Sequence, residues 1–177
     1  QQVHVARNVI VATRDRTEVL RLLAARGLPG VPLAARVDLL RRFLRVTHAV
    51  RGYHTQAEML VIARDVLARA APVVVEAGCG KGSSTAKLSL AVRRAAGILH
   101  ACDSFRGIPD NDERHVHVDG RPVAFRAGAF RGSLPSVRRA VAAYGAPEVC
   151  RFHKGWFADT LPLMPDAIDV AVLDVDL

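Results

Sequence analysis

One feature constrains the possible folds of this chain most: a short apolar stretch that runs straight into a glycine-rich turn and then into a helix. Residues 73–84 read Val-Val-Val-Glu-Ala-Gly-Cys-Gly-Lys-Gly-Ser-Ser. The apolar run predicts a buried strand, and the glycines let backbone approach a ligand closely because they carry no Cβ. The helix that follows presents free N–H groups and the positive end of its dipole to the turn. In an open α/β sheet this combination predicts a nucleotide-type pocket.

Strand and helix patterns alternate from this stretch to the end of the chain. Strands are predicted at 73–76, 98–103, 149–153 and 168–174, and helices at 83–95 and 134–144. Such alternation predicts an α/β fold, a Rossmann-like doubly wound parallel sheet with right-handed crossovers. A parallel sheet needs cover on both faces. We therefore expect further C-terminal strands of this sheet beyond residue 177.

The first part of the chain reads differently. Residues 1–54 are predicted to be a mostly helical segment, and residues 55–177 an incomplete Rossmann-like binding domain. Helices are expected at 17–26, 33–50 and 55–70. Thr17 is a candidate cap of the first helix and Gly27 its stop. Thr55-Gln-Ala-Glu58 matches a capping box that opens the third helix.

Composition and charge reduce the classes of partner that are expected for this chain. The chain has 177 residues and a formal charge of +8, from 25 basic and 17 acidic residues. Its arginine-rich stretches lack interleaved aromatic residues and match no nucleic-acid motif, which favours solvated helix faces over a nucleic-acid partner. No apolar run approaches the ~20 residues of a membrane span, so no membrane partner is expected. The 3 cysteines fit neither a disulfide framework nor a zinc motif, which favours a cytoplasmic location.

The spacing of the glycines distinguishes among nucleotide-type ligands. Gly78, Gly80 and Gly82 form GxGxG, whereas the dinucleotide fingerprint is GxGxxG and would place a glycine at Ser83. The phosphate-loop pattern GxxxxGK[ST] does not occur. Glu76 lies two residues before the first glycine. This ExGxGxG arrangement resembles motif I of class I S-adenosylmethionine-dependent methyltransferases.

Three later motifs make the resemblance more specific. They are Asp-Ser-Phe-Arg-Gly-Ile-Pro at 103–109, His-Lys-Gly-Trp-Phe-Ala-Asp-Thr-Leu-Pro at 153–162 and Val-Leu-Asp-Val-Asp at 172–176. Together they resemble the macrocin O-methyltransferase family of antibiotic pathways over roughly residues 55–177. The resemblance implies an O-methyltransferase that acts on a small-molecule hydroxyl such as that of a natural-product sugar. It also implies S-adenosylmethionine, Mg²⁺ and a homo-oligomer.

The resemblance also implies site residues. Cofactor contacts are expected from Glu76, Gly78, Gly80, Gly82, Ser83, Asp103, Ser104, Phe105, Gly155 and Trp156. Glu76, Gly78, Gly80 and Gly82 would surround the methionine end and Asp103 the ribose. The adenosine would lie near Ser104, Phe105, Gly155 and Trp156. A carboxylate at the end of the second strand suits ribose hydroxyls in NAD sites as well, so Asp103 alone does not choose the cofactor. Asp174 is expected to be catalytic, as a magnesium ligand, a proton acceptor or both, whereas a role for Asp176 stays open.

Alternatives remain at this point. The chain could be a non-catalytic methyltransferase-like binding or assembly domain, or, against its glycine spacing, an NAD(P)-dependent oxidoreductase. An RNA methyltransferase would need a basic, aromatic-bearing groove. His115, His117 and Asp119 have spacing that could hold a transition metal, but their polar surroundings favour a solvated lid within 110–131. Cys79 is interpreted as a small, partly buried residue.

Overall fold

The computed structural model describes residues 2–24, 28, 30–110, 115–116, 120–123 and 126–175. The helices in these segments are α1 (Gln2–Ala24), α2 (Leu33–Ala49), α3 (Gln56–Leu67), α4 (Ser83–Arg94), α5 (Leu134–Tyr144) and α6 (Phe157–Thr160). The strands are β1 (Val73–Ala77), β2 (Ile98–Asp103), β3 (His115–Val116), β4 (Pro122–Val123), β5 (Cys150–Lys154) and β6 (Val170–Leu173). Within these segments, no helix is both long and apolar enough to cross a membrane.

The α3 helix begins at the predicted capping box. The side-chain oxygen of Thr55 accepts a hydrogen bond from the N–H of Glu58 at 3.3 Å, and the Glu58 carboxylate accepts one from the N–H of Thr55 at 2.7 Å. These two bonds satisfy N–H groups that a helix start otherwise leaves unpaired. The prediction of this helix start is confirmed.

The predicted start of the first helix is wrong. Helix α1 begins at Gln2, and Thr17 lies within it. There the Thr17 hydroxyl donates to the carbonyl oxygen of Thr13 at 2.9 Å. A threonine that can cap a helix can also bond to the preceding turn inside one, so its presence does not locate a helix start. The predicted stop at Gly27 lies outside the described residues.

Four parallel strands form the main sheet in the order β5-β2-β1-β6. The chain moves outward from β1 through β2 to β5 and then returns to the other side of β1. This is the order of a doubly wound Rossmann-like sheet, so the predicted fold class is confirmed. The reversal places a topological switch point between β1 and β6, where α/β proteins bind ligands at the carboxyl ends of the strands.

A short ribbon interrupts the predicted loop at 110–131. Strands β3 and β4 pair in antiparallel fashion, with His115 opposite Val123. The loop prediction is therefore wrong at these two pairs of residues. His117 and Asp119 lie outside the described residues, so the metal alternative for that segment stays untested.

One hydrophobic core joins the N-terminal helices to the sheet. It runs from Leu22 in α1 and Phe43 in α2 through Leu88 in α4 to Leu99 in β2, all of them fully buried. Helix α4 packs against α2, α3 and α5 and against β2. These contacts hold the glycine turn that precedes α4 against the carboxyl end of the sheet.

Candidate functional site

The glycine turn has a backbone that requires glycine. Gly78, Gly80 and Gly82 have φ values of 98°, 49° and 89°, in the left-handed region that side chains disfavour. A Cβ on Gly78 would overlap the carbonyl oxygen of Asp174. Gly78 therefore lets the ends of β1 and β6 approach each other at the switch point.

Asp103 fastens this turn to the end of β2. One carboxylate oxygen, Oδ2, accepts hydrogen bonds from the N–H of Cys79 at 2.7 Å and of Gly80 at 3.2 Å. The other, Oδ1, accepts one from the N–H of Phe105 at 2.5 Å. Charge-assisted bonds of this kind are stronger than neutral ones, so the carboxylate orders the turn as well as facing the cleft.

Glu76 is fully buried beneath the turn. Among the described residues, neither of its carboxylate oxygens has a hydrogen-bond partner within normal distance. Burial raises the pKa of Glu76 to about 7, although nearby Ser84, Thr85 and Cys79 partly offset this effect. A buried carboxylate without strong partners favours its protonated form.

Six of the predicted site residues converge on a cleft of about 260 Å³ at the carboxyl ends of the strands. Those that line it are Gly78, Gly80, Asp103, Ser104, Trp156 and Asp174. They come from four separate parts of the sequence, and the parallel sheet brings them to one edge. Trp156, 39% exposed, forms part of the wall together with Phe157.

The other predicted residues line no part of this cleft. Ser83 lines a smaller cavity beside the glycine turn, whereas Glu76 and Gly82 are not among the described residues that line either cavity. Phe105 is buried, and its N–H bonds to Asp103. The N–H of Gly155 donates to the backbone carbonyl of Asp103 at 3.1 Å. These residues shape the backbone around the cleft.

Sequence reasoning missed the segment between α2 and α3. Gly52 lies so close to Ser83 that a Cβ on it would be 2.8 Å from the Ser83 Cβ. The Tyr53 ring reaches both cavities and packs edge-to-face on Phe130, with centroids 5.0 Å apart. No local motif marks this segment, since its role comes from packing across the glycine turn. The capping box just after it was the only available signal.

The smaller cavity, about 20 Å³, is lined by three cationic side chains, those of Arg51, Lys81 and Lys87. Lys87 of α4 is only 3% exposed, and Arg51 reaches the same cavity. Burial lowers the pKa of Lys87, while the charge of Asp15 acts in the opposite direction. No ion pair of Lys87 occurs among the described residues. A buried cation at the start of a helix suits a small anionic group.

Asp174 follows β6 at the edge of both cavities. Its side chain is 48% exposed, and its Oδ2 lies 3.5 Å from Nε2 of His54. Within the described segments, no group of three His, Cys, Asp or Glu side chains could hold a metal ion. Mg²⁺ prefers several oxygen ligands, and one carboxylate beside one imidazole does not make up such a set. Asp176 lies outside the described residues.

Cys79 is buried within the glycine turn, as the sequence suggested. Burial and the nearby carboxylates of Glu76 and Asp103 raise the pKa of its thiol well above the usual range. A thiol held in this form is a poor nucleophile.

Comparison with known proteins identifies relatives. The model of the family described as Macrocin-O-methyltransferase (TylF) matches residues 43–177. Among solved structures, the chain is similar to one described as the structure of the O-methyltransferase NovP, with 29% identity and a TM-score of 0.47. The match covers 61% of this chain and 47% of that one, so the chain spans about half the length of that relative. No curated protein matches it.

Proposed function

Since the chain belongs to the macrocin-O-methyltransferase (TylF) family, we propose that it carries the cofactor-binding part of an S-adenosylmethionine-dependent O-methyltransferase. The proposed acceptor is a hydroxyl of a small molecule such as a natural-product sugar. The observation that carries this proposal is the glycine turn at the switch point, tied by Asp103 to a cleft of about 260 Å³. A single nucleoside fits such a site without needing a diphosphate-binding fingerprint.

Asp103 would bind the ribose through the hydrogen-bond acceptor site that its backbone contacts leave free. An ionised carboxylate has about four lone-pair sites, and three N–H groups already occupy Asp103. About one site is left for a ribose hydroxyl. The adenine would then lie along the wall formed by Ser104, Pro109 and Trp156.

The methionine end would extend past Gly78 and Gly80 toward the smaller cavity. Lys87 and Arg51 would there face the carboxylate of the cofactor. At about 20 Å³ the cavity is little larger than one water requires, so only a small group such as a carboxylate would enter it. Glu76 is fully buried beneath the turn. It would support the turn from there without contacting the cleft.

The sulfonium of the cofactor supplies an already activated methyl group, so the protein has mainly to align the acceptor and receive its proton. Asp174 would perform both tasks, and its half-exposed side chain at the edge of the cleft supports this role. The described residues do not make up a magnesium site. Mg²⁺, a homo-oligomer and a cytoplasmic location stay predictions, as does the absence of nucleic-acid and membrane partners.

Calorimetric titration with S-adenosylhomocysteine and with NAD tests the proposal. We expect S-adenosylhomocysteine to bind and NAD to bind far more weakly. Gly78→Ala should abolish the binding, because its Cβ would overlap the Asp174 carbonyl. Gly120→Ala, whose Cβ would meet nothing within 4 Å, is the control. Tighter binding of NAD would identify an oxidoreductase, and binding of neither ligand would leave a non-catalytic domain.

A further inference from the structure

An open groove of about 720 Å³ runs between the end of α2 and the outer face of α5. Its cationic side chains are Arg51, Lys81, Arg131 and Arg139, and among the described residues no acidic side chain lines it. We call this the basic groove. Within the described segments none of the four has an ion pair within 4.0 Å. Four like charges on one surface repel each other, so a bound anionic surface would stabilise them.

Between its cationic side chains the basic groove is lined by apolar residues together with the polar Ser133 and Ser136. Ala140, Ala143 and Tyr144 lie on one face of α5 at helical spacing and line the groove, with Ala49 and Val50 opposite them. The other face of α5 is occupied by the core, where Val137 and Val141 are fully buried. The outer face of α5 is therefore left open, with small side chains that allow another backbone to approach.

We propose that the basic groove docks an acidic amphipathic helix of a partner protein. The apolar face of that helix would cover the alanines, and its carboxylates would meet the four cations, as in helix-in-groove recognition. A nucleic-acid backbone has no apolar face to cover Ala140 and Ala143. Tyr144 is the one aromatic residue that lines the groove for base stacking.

The basic groove lies beside the smaller cavity at the glycine turn, so a docked helix would lie near the proposed cofactor site. Arg51 and Lys81 line both the basic groove and the smaller cavity beside the glycine turn. A docked helix would therefore lie next to the methionine end of the proposed cofactor. The proposal rests on the groove alone and does not require the proposed methyltransferase function.

The test uses a synthetic helical peptide with a leucine stripe flanked by glutamates, labelled for fluorescence anisotropy. The same peptide with glutamine in place of glutamate, and a single-stranded oligonucleotide, serve as competing probes. We expect the glutamate peptide to bind best, and Arg131→Glu with Arg139→Glu to weaken it about tenfold or more. Arg41→Glu with Arg45→Glu makes the same charge change on α2 outside the groove and should have little effect.

A second pair of variants tests the apolar part of the groove lining without changing charge. Ala143→Gln should weaken peptide binding, whereas Ala142→Gln, on the same helix but outside the groove, should not. Far-UV circular dichroism checks that each variant is folded. Equal losses from both charge reversals, equal losses from both glutamine variants, tighter binding of the oligonucleotide, or no peptide binding would each overturn the proposal.

Discussion

Asp103 has two tasks at one position. Its carboxylate holds the N–H groups of Cys79, Gly80 and Phe105 before any ligand arrives. A ribose contact would use the remaining capacity of the same group. Loss of its charge should therefore change the free protein as well as the complex.

We predict that Asp103→Asn lowers the free energy of unfolding of the ligand-free protein by about 1–3 kcal/mol. The substitution removes the negative charge and replaces one acceptor oxygen by an NH₂ group, which cannot accept a hydrogen bond from the backbone N–H groups. Affinity for S-adenosylhomocysteine should fall as well. Denaturant unfolding and calorimetry measure the two effects. The control is Asp110→Asn, at an exposed position. Unchanged unfolding with lost affinity would restrict Asp103 to ligand binding.

Glu76 makes the folded protein less stable as the pH rises, the opposite of the usual effect of a carboxylate. Its folded-state pKa of about 7 lies above the ordinary 4.5, so the folded state binds the proton more tightly than the unfolded chain does. The stabilisation is complete below about pH 4.5 and is lost as pH rises through about 7. For a shift of this size the loss is at most about 3 kcal/mol.

We predict that Glu76→Gln is more stable than the unchanged protein at pH 8 and that its stability varies less between pH 5 and 8. Unfolding curves across that range measure the difference. Glu148→Gln, at an exposed carboxylate, should keep the original pH dependence. Identical pH profiles for the Glu76 variant and the unchanged protein would contradict the raised pKa.

Lys87 provides a test of where the methionine end lies, and the test rests on the proposed function. We predict that Lys87→Met weakens binding of S-adenosylmethionine about tenfold, the effect of losing one charge-assisted contact. Binding of decarboxylated S-adenosylmethionine should hardly change, since that ligand lacks the carboxylate. Lys154→Met, outside both cavities, is the control. Equal losses for both ligands would give Lys87 a purely structural role.

At the scale of elements, two connecting segments close around the glycine turn. The segment 126–133 bonds to the loop after β2, where the N–H of Ile108 donates to the carbonyl of Ala129 at 3.1 Å. Gly132 in the same segment lies directly against the carbonyl oxygen of Gly80. The segment before α3 approaches from the other side through Gly52 and Tyr53. The turn is thus held by neighbours that come from distant parts of the chain.

We predict that Gly132→Ala displaces the glycine turn, because its Cβ would overlap the Gly80 carbonyl oxygen. Cofactor affinity should fall about tenfold or more, since small misplacements at a binding site have large effects. Ala127→Ser, a change of similar size at an exposed position of the same segment outside both cavities, should keep most of the affinity. Calorimetry with S-adenosylhomocysteine decides, and full affinity of Gly132→Ala would show that the close contact is not needed.

At the scale of the whole molecule, the core is continuous from the N-terminal helices to the sheet. Phe43 in α2 is fully buried in that core, whereas its neighbour Leu44 is 44% exposed. Trp156, the single tryptophan of the chain, lies in the cleft wall and reports on the carboxyl end of the sheet. A substitution at Phe43 and the fluorescence of Trp156 together measure whether the helices and the sheet unfold cooperatively.

We predict that Phe43→Ala lowers the free energy of unfolding by about 3–5 kcal/mol, the usual cost of emptying a large core position. Leu44→Ala should cost much less. The Trp156 fluorescence transition and the far-UV circular dichroism transition should shift together, because one core unfolds as a unit. Two separate transitions would support the division at residues 54 and 55 into independent parts.

The sequence by itself determined the elements whose causes are local. The capping box at Thr55 started a helix where predicted, and the strand, glycine turn and helix at 73–84 formed as expected. In each case neighbouring residues supply both the bonding groups and the backbone freedom. The alternation of strands and helices then restricted the sheet to a doubly wound order. Thr17 failed as a predictor because its hydroxyl had a second local partner within the helix.

Only the tertiary structure decided how distant residues combine. Tyr53 reaches the glycine turn because α2 and α3 pack on α4, and the buried position of Lys87 follows from the same packing. The sheet register brings Gly78 against Asp174. The bonds of Asp103 to two turn amides need both strand ends in place. Burial, contact across the chain and the resulting pKa changes depend on three-dimensional neighbours, which spacing along the sequence does not specify.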